Sequence, residues 1–215
     1  METVTSENII RLLNWRYATK SFDSNKKLND AQLATLLNAI QLAPSSYGLQ
    51  PYQIIVVSNQ EIKEALKVAA YGQSQLAQAS HVLVFARTKN YTIAHVDEFA
   101  ANIIATRGVT AEDIKGYVDT MKGTVESQTQ DQLAVWNSKQ AYIALGILLE
   151  SAALNGIDAC PMEGFDTAKF DEILGLDAKN LASVVIAPVG FRSTEDDAQH
   201  YKKVRKSQQD LFIHI

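Results

Sequence analysis

Apolar residues recur at helical spacing near the start of the chain, where Ile9, Ile10, Leu12 and Leu13 follow Ser6, a residue suited to capping a helix. A polar and aromatic segment, residues 14–22, comes next. A second helix is predicted from a cap at Asn29 or Asp30 to about Leu42, with Leu33, Leu36, Leu37 and Ile40 inward. Pro44 ends it, because the residue before a proline avoids the helical region. The β-branched run at residues 52–57 reads as a buried strand, residues 60–70 as a helix and residues 81–86 as a second strand. Residues 91–128 carry a helical pattern punctuated by Gly108, Gly116 and Gly123. The longest helix is predicted over residues 130–154, with Leu133, Trp136, Gln140, Ala144, Ile147, Leu148 and Ser151 inward. Its small residues, Ala141, Ala144, Gly146, Ala152 and Ala153, allow close packing on a neighbour. Asn155-Gly156 offers a left-handed stop. A short strand at residues 157–161, a helix near residues 166–174 and a strong strand at residues 183–190 complete the pattern.

Strands and helices mix here without strict βαβ alternation, which predicts an α+β fold with one sheet covered by helices. The 215 residues, 47% hydrophobic and 20% charged, suit one sizeable domain spanning 1–215. The formal net charge of −4 argues against nucleic acid or an anionic membrane as a partner. The N-terminal residues lack the basic start and apolar run of a signal peptide, and no apolar stretch reaches the ~20 residues needed to span a bilayer. The lone cysteine, Cys160, excludes an intrachain disulfide and a cysteine-based metal cluster, and fits a reducing cytoplasm. The apolar end, Leu211 to Ile215, should dock either on the chain's own surface or on a partner subunit.

Several chemistries are missing from the motifs. None of the ten glycines forms G-x-G-x-x-G, and there is no P-loop, no G-x-S-x-G elbow and no H-E-x-x-H. The four histidines are scattered. A nicotinamide cofactor would therefore bind without a strand–turn–helix cradle, which points to a bound flavin as the resident cofactor.

Four segments could carry chemistry. In an extended Arg16-Tyr17-Ala18-Thr19-Lys20, alternate residues share a side, so Arg16 and Lys20 would line one edge with Ala18 between them. Such cations can grip a phosphate. Pro44-Ser45-Ser46-Tyr47-Gly48 puts hydroxyls and a glycine between a helix stop and a strand start, where a backbone can approach a ligand closely. Cys160-Pro161-Met162-Glu163-Gly164 follows a strand end and can aim the N–H groups of Glu163 and Gly164 at a ligand. Lys202-Lys203-Val204-Arg205-Lys206 is a basic run in an acidic chain, open to reading as a solvated face or as an anion site. Taken singly, each also fits an ordinary loop or turn. Glu195-Asp196-Asp197 reads as a solvated loop, and Cys160 as a packed rather than reactive thiol.

Together and in this order, these segments resemble the flavin-dependent nitroreductase family. The resemblance runs through "RYATKSFD" from Arg16, "APSSYGLQPYQIIVVS" from Ala43 and "QASHVLVFA" from Gln78. It continues through "WNSKQAYIALGILLESAALNGIDACPMEGFD" from Trp136, "VVIAPVGFR" from Val184 and "KKVRK" from Lys202. It is nearest to the oxygen-insensitive NAD(P)H nitroreductase and dihydropteridine reductase branch.

The resemblance implies a mixed, largely antiparallel sheet flanked by helices, a long central helix at a homodimer interface and a C-terminal arm reaching the partner subunit. It implies FMN at that interface, held by both subunits, with NADH or NADPH as electron donor. A hydride would pass by a ping-pong mechanism to nitroaromatics, quinones or similar electron-poor small molecules. The same fold also serves flavin reductases and other flavoenzymes. Arg16, Tyr17, Ala18 and Lys20 would meet the phosphate and the pyrimidine edge. Pro44, Ser45, Ser46 and Gly48 would come from the partner. Gln73 and Gln75 would supply polar contacts to the ring, and Gln140 matches a cofactor-site glutamine on the long central helix. Pro161, Met162, Glu163 and Gly164 would form the turn near N5, and Lys203 and Arg205 would close on the phosphate. No protein nucleophile and no metal are implied. Ala18 and Gly48 depart from the Ser and Asn frequent in the family, and residues 92–128 do not follow its pattern, which leaves the acceptor open.

Overall fold

The computed structural model describes residues 5–215. A four-stranded sheet in the order β1-β2-β4-β3 forms its centre, with β1 Tyr52–Val57, β2 His81–Thr88, β3 Asp158–Ala159 and β4 Leu181–Gly190. Every ladder between these strands is antiparallel. A single parallel bridge, Ala18 to Ala159, adds the segment after the first helix alongside β3. The fold is therefore the α+β type expected, with its mixed character confined to that bridge.

Both faces of the sheet are covered, and the sequence of β2 shows why. Leu83 and Phe85 join Val185, Ala187 and Val189 of β4 in one core. Val82 and Val84 point the other way and join Ile186 in a second core. Alternation has period two, so a strand buried on both sides must be apolar at every position. The first core is roofed by α2 (Asp30–Gln41) and α7 (Gln130–Leu154), through Leu36 and Ile40 and through Ala141, Ala144, Leu145, Leu148 and Ala152. The second is closed by α3 (Gln60–Ala69), the short α4 (Gln75–Gln78) and α8 (Thr167–Leu174). An antiparallel pair, α5 (Ile93–Arg107) and α6 (Ala111–Glu126), leans on the start of α7 around Tyr91, Val96, Met121, Val125 and Leu133. The chain also contains α1 (Ser6–Trp15) and a terminal turn of helix, α9 (Gln208–Leu211).

Several sequence readings need correction. The cap of α1 is Thr5 rather than Ser6, and the helix has no buried residue among those described, with Ile10 and Leu13 in solvent. Gly116 and Gly123 lie inside α6, where the capping box at Thr110 and Asp113 and the apolar face of Met121 and Val125 outweigh the glycine penalty. Of these three glycines, Gly108 alone stops a helix. On α7 the buried stripe runs through Asn137, Ala141, Leu145 and Ala153 as well as the residues expected, while Trp136, Ile147 and Ser151 are half-buried. The strand at residues 157–161 shrinks to Asp158–Ala159, because Pro161 lacks an N–H for the ladder. No helix among the described residues is long and apolar enough to cross a membrane.

Candidate functional site

Beyond α1 the chain runs extended past the sheet's end, and a polar knot holds it there. The Arg192 guanidinium stacks over the rings of Trp15 and Tyr17, 4.2 and 4.5 Å from their centroids. Its Nε donates to Asp158 Oδ1 at 2.8 Å, and its backbone N–H to Asp158 Oδ2 at 2.8 Å. Asp158 is 5% exposed, so this ion pair sits out of water. The residues after β4 turn back over the same segment. Phe22 bridges Arg192, and the Ser193 N–H donates to the Ser21 carbonyl.

Asp196 then locks the two segments together. Its Oδ2 accepts from the Tyr17 hydroxyl at 2.8 Å, the Lys20 N–H at 2.7 Å and the Ser21 N–H at 3.0 Å, and its Oδ1 from the Ala198 N–H at 3.1 Å. It is 3% exposed. The reading of Glu195-Asp196-Asp197 as a solvated loop is thus overturned at Asp196. A charge run in sequence does not reveal that one of its members faces backbone donors from a segment at the other end of the chain.

Above this knot opens a cleft of about 560 Å³. Arg16, Tyr17 and Ala18 form one wall, Ala198, Gln199 and Tyr201 with Lys202, Lys203 and Arg205 the other, and Leu149 and Pro161 add apolar surface. Lys203 Nζ donates to the Arg16 carbonyl, joining the walls. No carboxylate is among the described lining residues. Burial, then the neighbouring charge of Arg205, lowers the Arg16 pKa from its ordinary value. Lys203 is lowered by burial first and then by Arg16 and Arg205. Three cations from opposite ends of the chain crowd together without a compensating anion.

Lys20 is not on this cleft. Its backbone is held by Asp196, and its charge acts on Cys160 instead. The even alternation expected from Arg16 to Lys20 fails because the backbone leaves the extended path after Ala18, the last residue that bridges to β3. Cys160 is 1% exposed, and burial raises its thiol pKa, as a packing role requires.

The turn at Glu163 and Gly164 lies near the chain's other expected polar groups. Tyr142 of α7 donates its hydroxyl to Glu163 Oε1 at 2.6 Å, and Gln73 Nε2 donates to the Gly164 carbonyl at 2.7 Å and to the Ala70 carbonyl at 3.0 Å. Gln75, 6% exposed, donates to Gln73 Oε1 at 3.4 Å. Gln73 therefore braces the turn directly, and Gln75 does so through Gln73. Gln140 is likewise engaged within the chain: its Oε1 accepts from the Ser46 N–H at 2.8 Å and its Nε2 donates to the Trp136 carbonyl at 3.0 Å. Met162 is buried and bridges Ile186 of β4.

The Pro44–Gly48 loop does not reach the cleft of its own chain. Gly48 instead borders a separate hollow of about 350 Å³ with Phe99, Tyr91 and His95. Gly48 has φ +81°, and a Cβ there would meet Phe99 Cζ at 3.1 Å, so a side chain would be strained and would press on the Phe99 ring.

Comparison with known proteins fits this architecture. The Nitroreductase family model matches residues 13–191. A Staphylococcus epidermidis protein named "Putative NAD(P)H nitroreductase" is 40% identical over 228 residues, 98% of each chain. The crystal structure of a Bacillus subtilis nitroreductase-type protein superposes with a TM-score of 0.88 at 23% identity, covering 98% of this chain and 100% of that one. One from Exiguobacterium sibiricum, described as a complex with FMN, superposes with a TM-score of 0.82 at 20% identity, covering 100% of this chain and 99% of that one. The chain belongs to the nitroreductase family, and its fold is the nitroreductase fold.

Proposed function

We propose that the chain is an FMN-dependent oxidoreductase that takes electrons from NADH or NADPH and passes them to nitroaromatics, quinones or similar electron-poor small molecules. The observation that carries the reading is the cleft's uncompensated positive charge. Arg16, Lys203 and Arg205 fit a phosphate dianion, which would offset the repulsion that burial intensifies among them. The named S. epidermidis relative and the FMN complex of the E. sibiricum protein support the same cofactor and donor.

When bound, the flavin supplies two-electron redox chemistry that no side chain offers. The chain's own part is orientation. Arg16, Lys203 and Arg205 would hold the phosphate, and Pro161 with Leu149 would offer the flat apolar surface a ring needs. The Glu163 and Gly164 N–H groups, braced by Gln73 and Gln75, would face the ring. Ping-pong kinetics follow if donor and acceptor take turns in one cleft.

The working unit in this proposal is a homodimer. Val135, Tyr142, Ile143 and Leu154 leave an exposed apolar face on α7, and Leu211, Phe212, Ile213 and Ile215 leave another on the arm. A second subunit would cover both and deliver Pro44, Ser45, Ser46 and Gly48 to the cleft. A single buried thiol suits a reducing cytoplasm.

A visible spectrum tests the proposal. Purified protein should be yellow, bleach with NADH or NADPH without air, and regain colour with a nitroaromatic or a quinone. A flavin that NAD(P)H does not bleach would make the chain a binding protein. Protein that stays colourless after incubation with FMN would remove the proposal altogether.

A further inference from the structure

The two walls of the basic cleft come from opposite ends of the chain, and hydrogen bonding ties the second wall down unevenly. Up to Ala198 it is anchored by the Phe22–Arg192 bridge, the Ser193 N–H to Ser21 carbonyl bond and the four donors on Asp196. From Lys202 to Lys206, one hydrogen bond reaches another part of the described chain, that of Lys203 Nζ to the Arg16 carbonyl. The cations of that wall thus depend on where the chain stands at Asp196.

We infer that Asp196 is the positioning residue of the anion site, holding the two cationic walls at the separation a phosphate monoester needs. The inference rests on the proposed phosphate reading of the cleft. Its chemistry is specific to a carboxylate. All four partners of Asp196 are donors, three converging on Oδ2 and one on Oδ1. A carboxylate has only acceptors, whereas an amide must turn an NH2 group toward one set of donors or the other. Asn at this position would therefore release either Ala198 or the trio of Tyr17, Lys20 and Ser21.

The anchor also extends inward. Tyr17, which donates to Asp196, lies under the Arg192 guanidinium, and Arg192 is paired with the buried Asp158 beside Ala159. A line of contacts, Asp158 to Arg192 to Tyr17 to Asp196, runs from the sheet to the cleft's outer wall. Asp196 does not line the cleft and its carboxylate is fully engaged, so its effect on a ligand is through placement of Arg16, Lys203 and Arg205. Its carboxyl pKa is lowered: burial alone would raise it, and the Ser21 and Lys20 N–H groups with the Tyr17 hydroxyl outweigh that.

The test compares FMN with riboflavin, which lacks only the phosphate, on full-length apoprotein by fluorescence titration. Wild type should prefer FMN. Asp196→Asn should lose at least tenfold of that preference with riboflavin affinity unchanged within about twofold, a loss of one power of ten being 1.4 kcal/mol. Tyr17→Phe, which removes one of the four donors, should lose two- to threefold. Hydrogen exchange without flavin should rise at residues 18–21 and 198–203 in Asp196→Asn but stay at wild-type level in Arg205→Ala, which removes a cation directly. A folded Asp196→Asn with the wild-type FMN preference overturns the inference. Should Asp196→Asn fail to fold, an unchanged preference in Tyr17→Phe overturns it. A wild type that binds riboflavin as well as FMN instead overturns the phosphate reading itself.

Discussion

Two arginines a few residues' reach apart show how differently this chain treats positive charge. Arg192 has a buried carboxylate on one side and two aromatic faces on the other. Arg16, on the same segment as those aromatic rings, faces Lys203 and Arg205 and no acid. The first arrangement builds a scaffold, and the second is left for a ligand. Binding sites are where a fold tolerates electrostatics that would be corrected elsewhere.

The contrast is sharpest in stability. Asp158→Asn should leave the Arg192 guanidinium half-buried without its anion and cost about 3–5 kcal/mol in chemical denaturation, the range for breaking a buried pair. A cost under about 1 kcal/mol would mean that Arg192 is held by its rings alone. A second buried cation gives a case between the two. Lys63 is 1% exposed, and its ammonium donates to the Ala79 carbonyl at 2.8 Å with Lys27 close by. Burial, then Lys27, lowers its pKa from 10.5 to about 8. The unfolded chain therefore binds more protons between those values, and stability should rise with pH through that window. Measured between about pH 8 and 9.5, below the tyrosine range, Lys63→Met should remove about 1–2 kcal/mol of that rise.

The cleft itself should respond in the opposite direction from the scaffold. Arg205→Gln should stabilise the flavin-free chain by about 0.3–1 kcal/mol at low salt, a gain that fades in 1 M salt as screening sets in. The same variant should bind FMN at least tenfold more weakly, since a charge-assisted contact to phosphate contributes about 1.5–3 kcal/mol. A destabilised Arg205→Gln would show that the residue has a structural partner. A comparably small effect is expected at Tyr142→Phe, about 0.5–1 kcal/mol for one exposed hydrogen bond to Glu163.

Much of the scaffold was legible from period alone. The ends of β1 and α7 agree with the apolar pattern, but β1 is an edge strand with Gln53 and Val56 exposed rather than the buried strand its β-branched run suggests. The convergence of Arg16 with Lys203 and Arg205 was legible only through the resemblance, as nothing local links the two ends of the chain. The alternation drawn from Arg16 to Lys20 fails because the chain, once past its bridge to β3 at Ala18, bends at Lys20. Asp196 was missed because its partners, three backbone N–H groups and a tyrosine hydroxyl, leave no mark in composition. Gln73 and Gln140 hydrogen-bond backbone groups of their own chain and Gln75 bonds the Gln73 side chain, partners that a sequence pattern cannot distinguish from a ligand.

The basic wall at Lys202 to Lys206 has one more consequence. Four of its five residues are sites for trypsin-like proteases, and they sit on an exposed stretch with few bonds to the rest of the chain. A phosphate seated among them would shield the peptide bonds it orders, so cutting there should report how much of the protein is loaded.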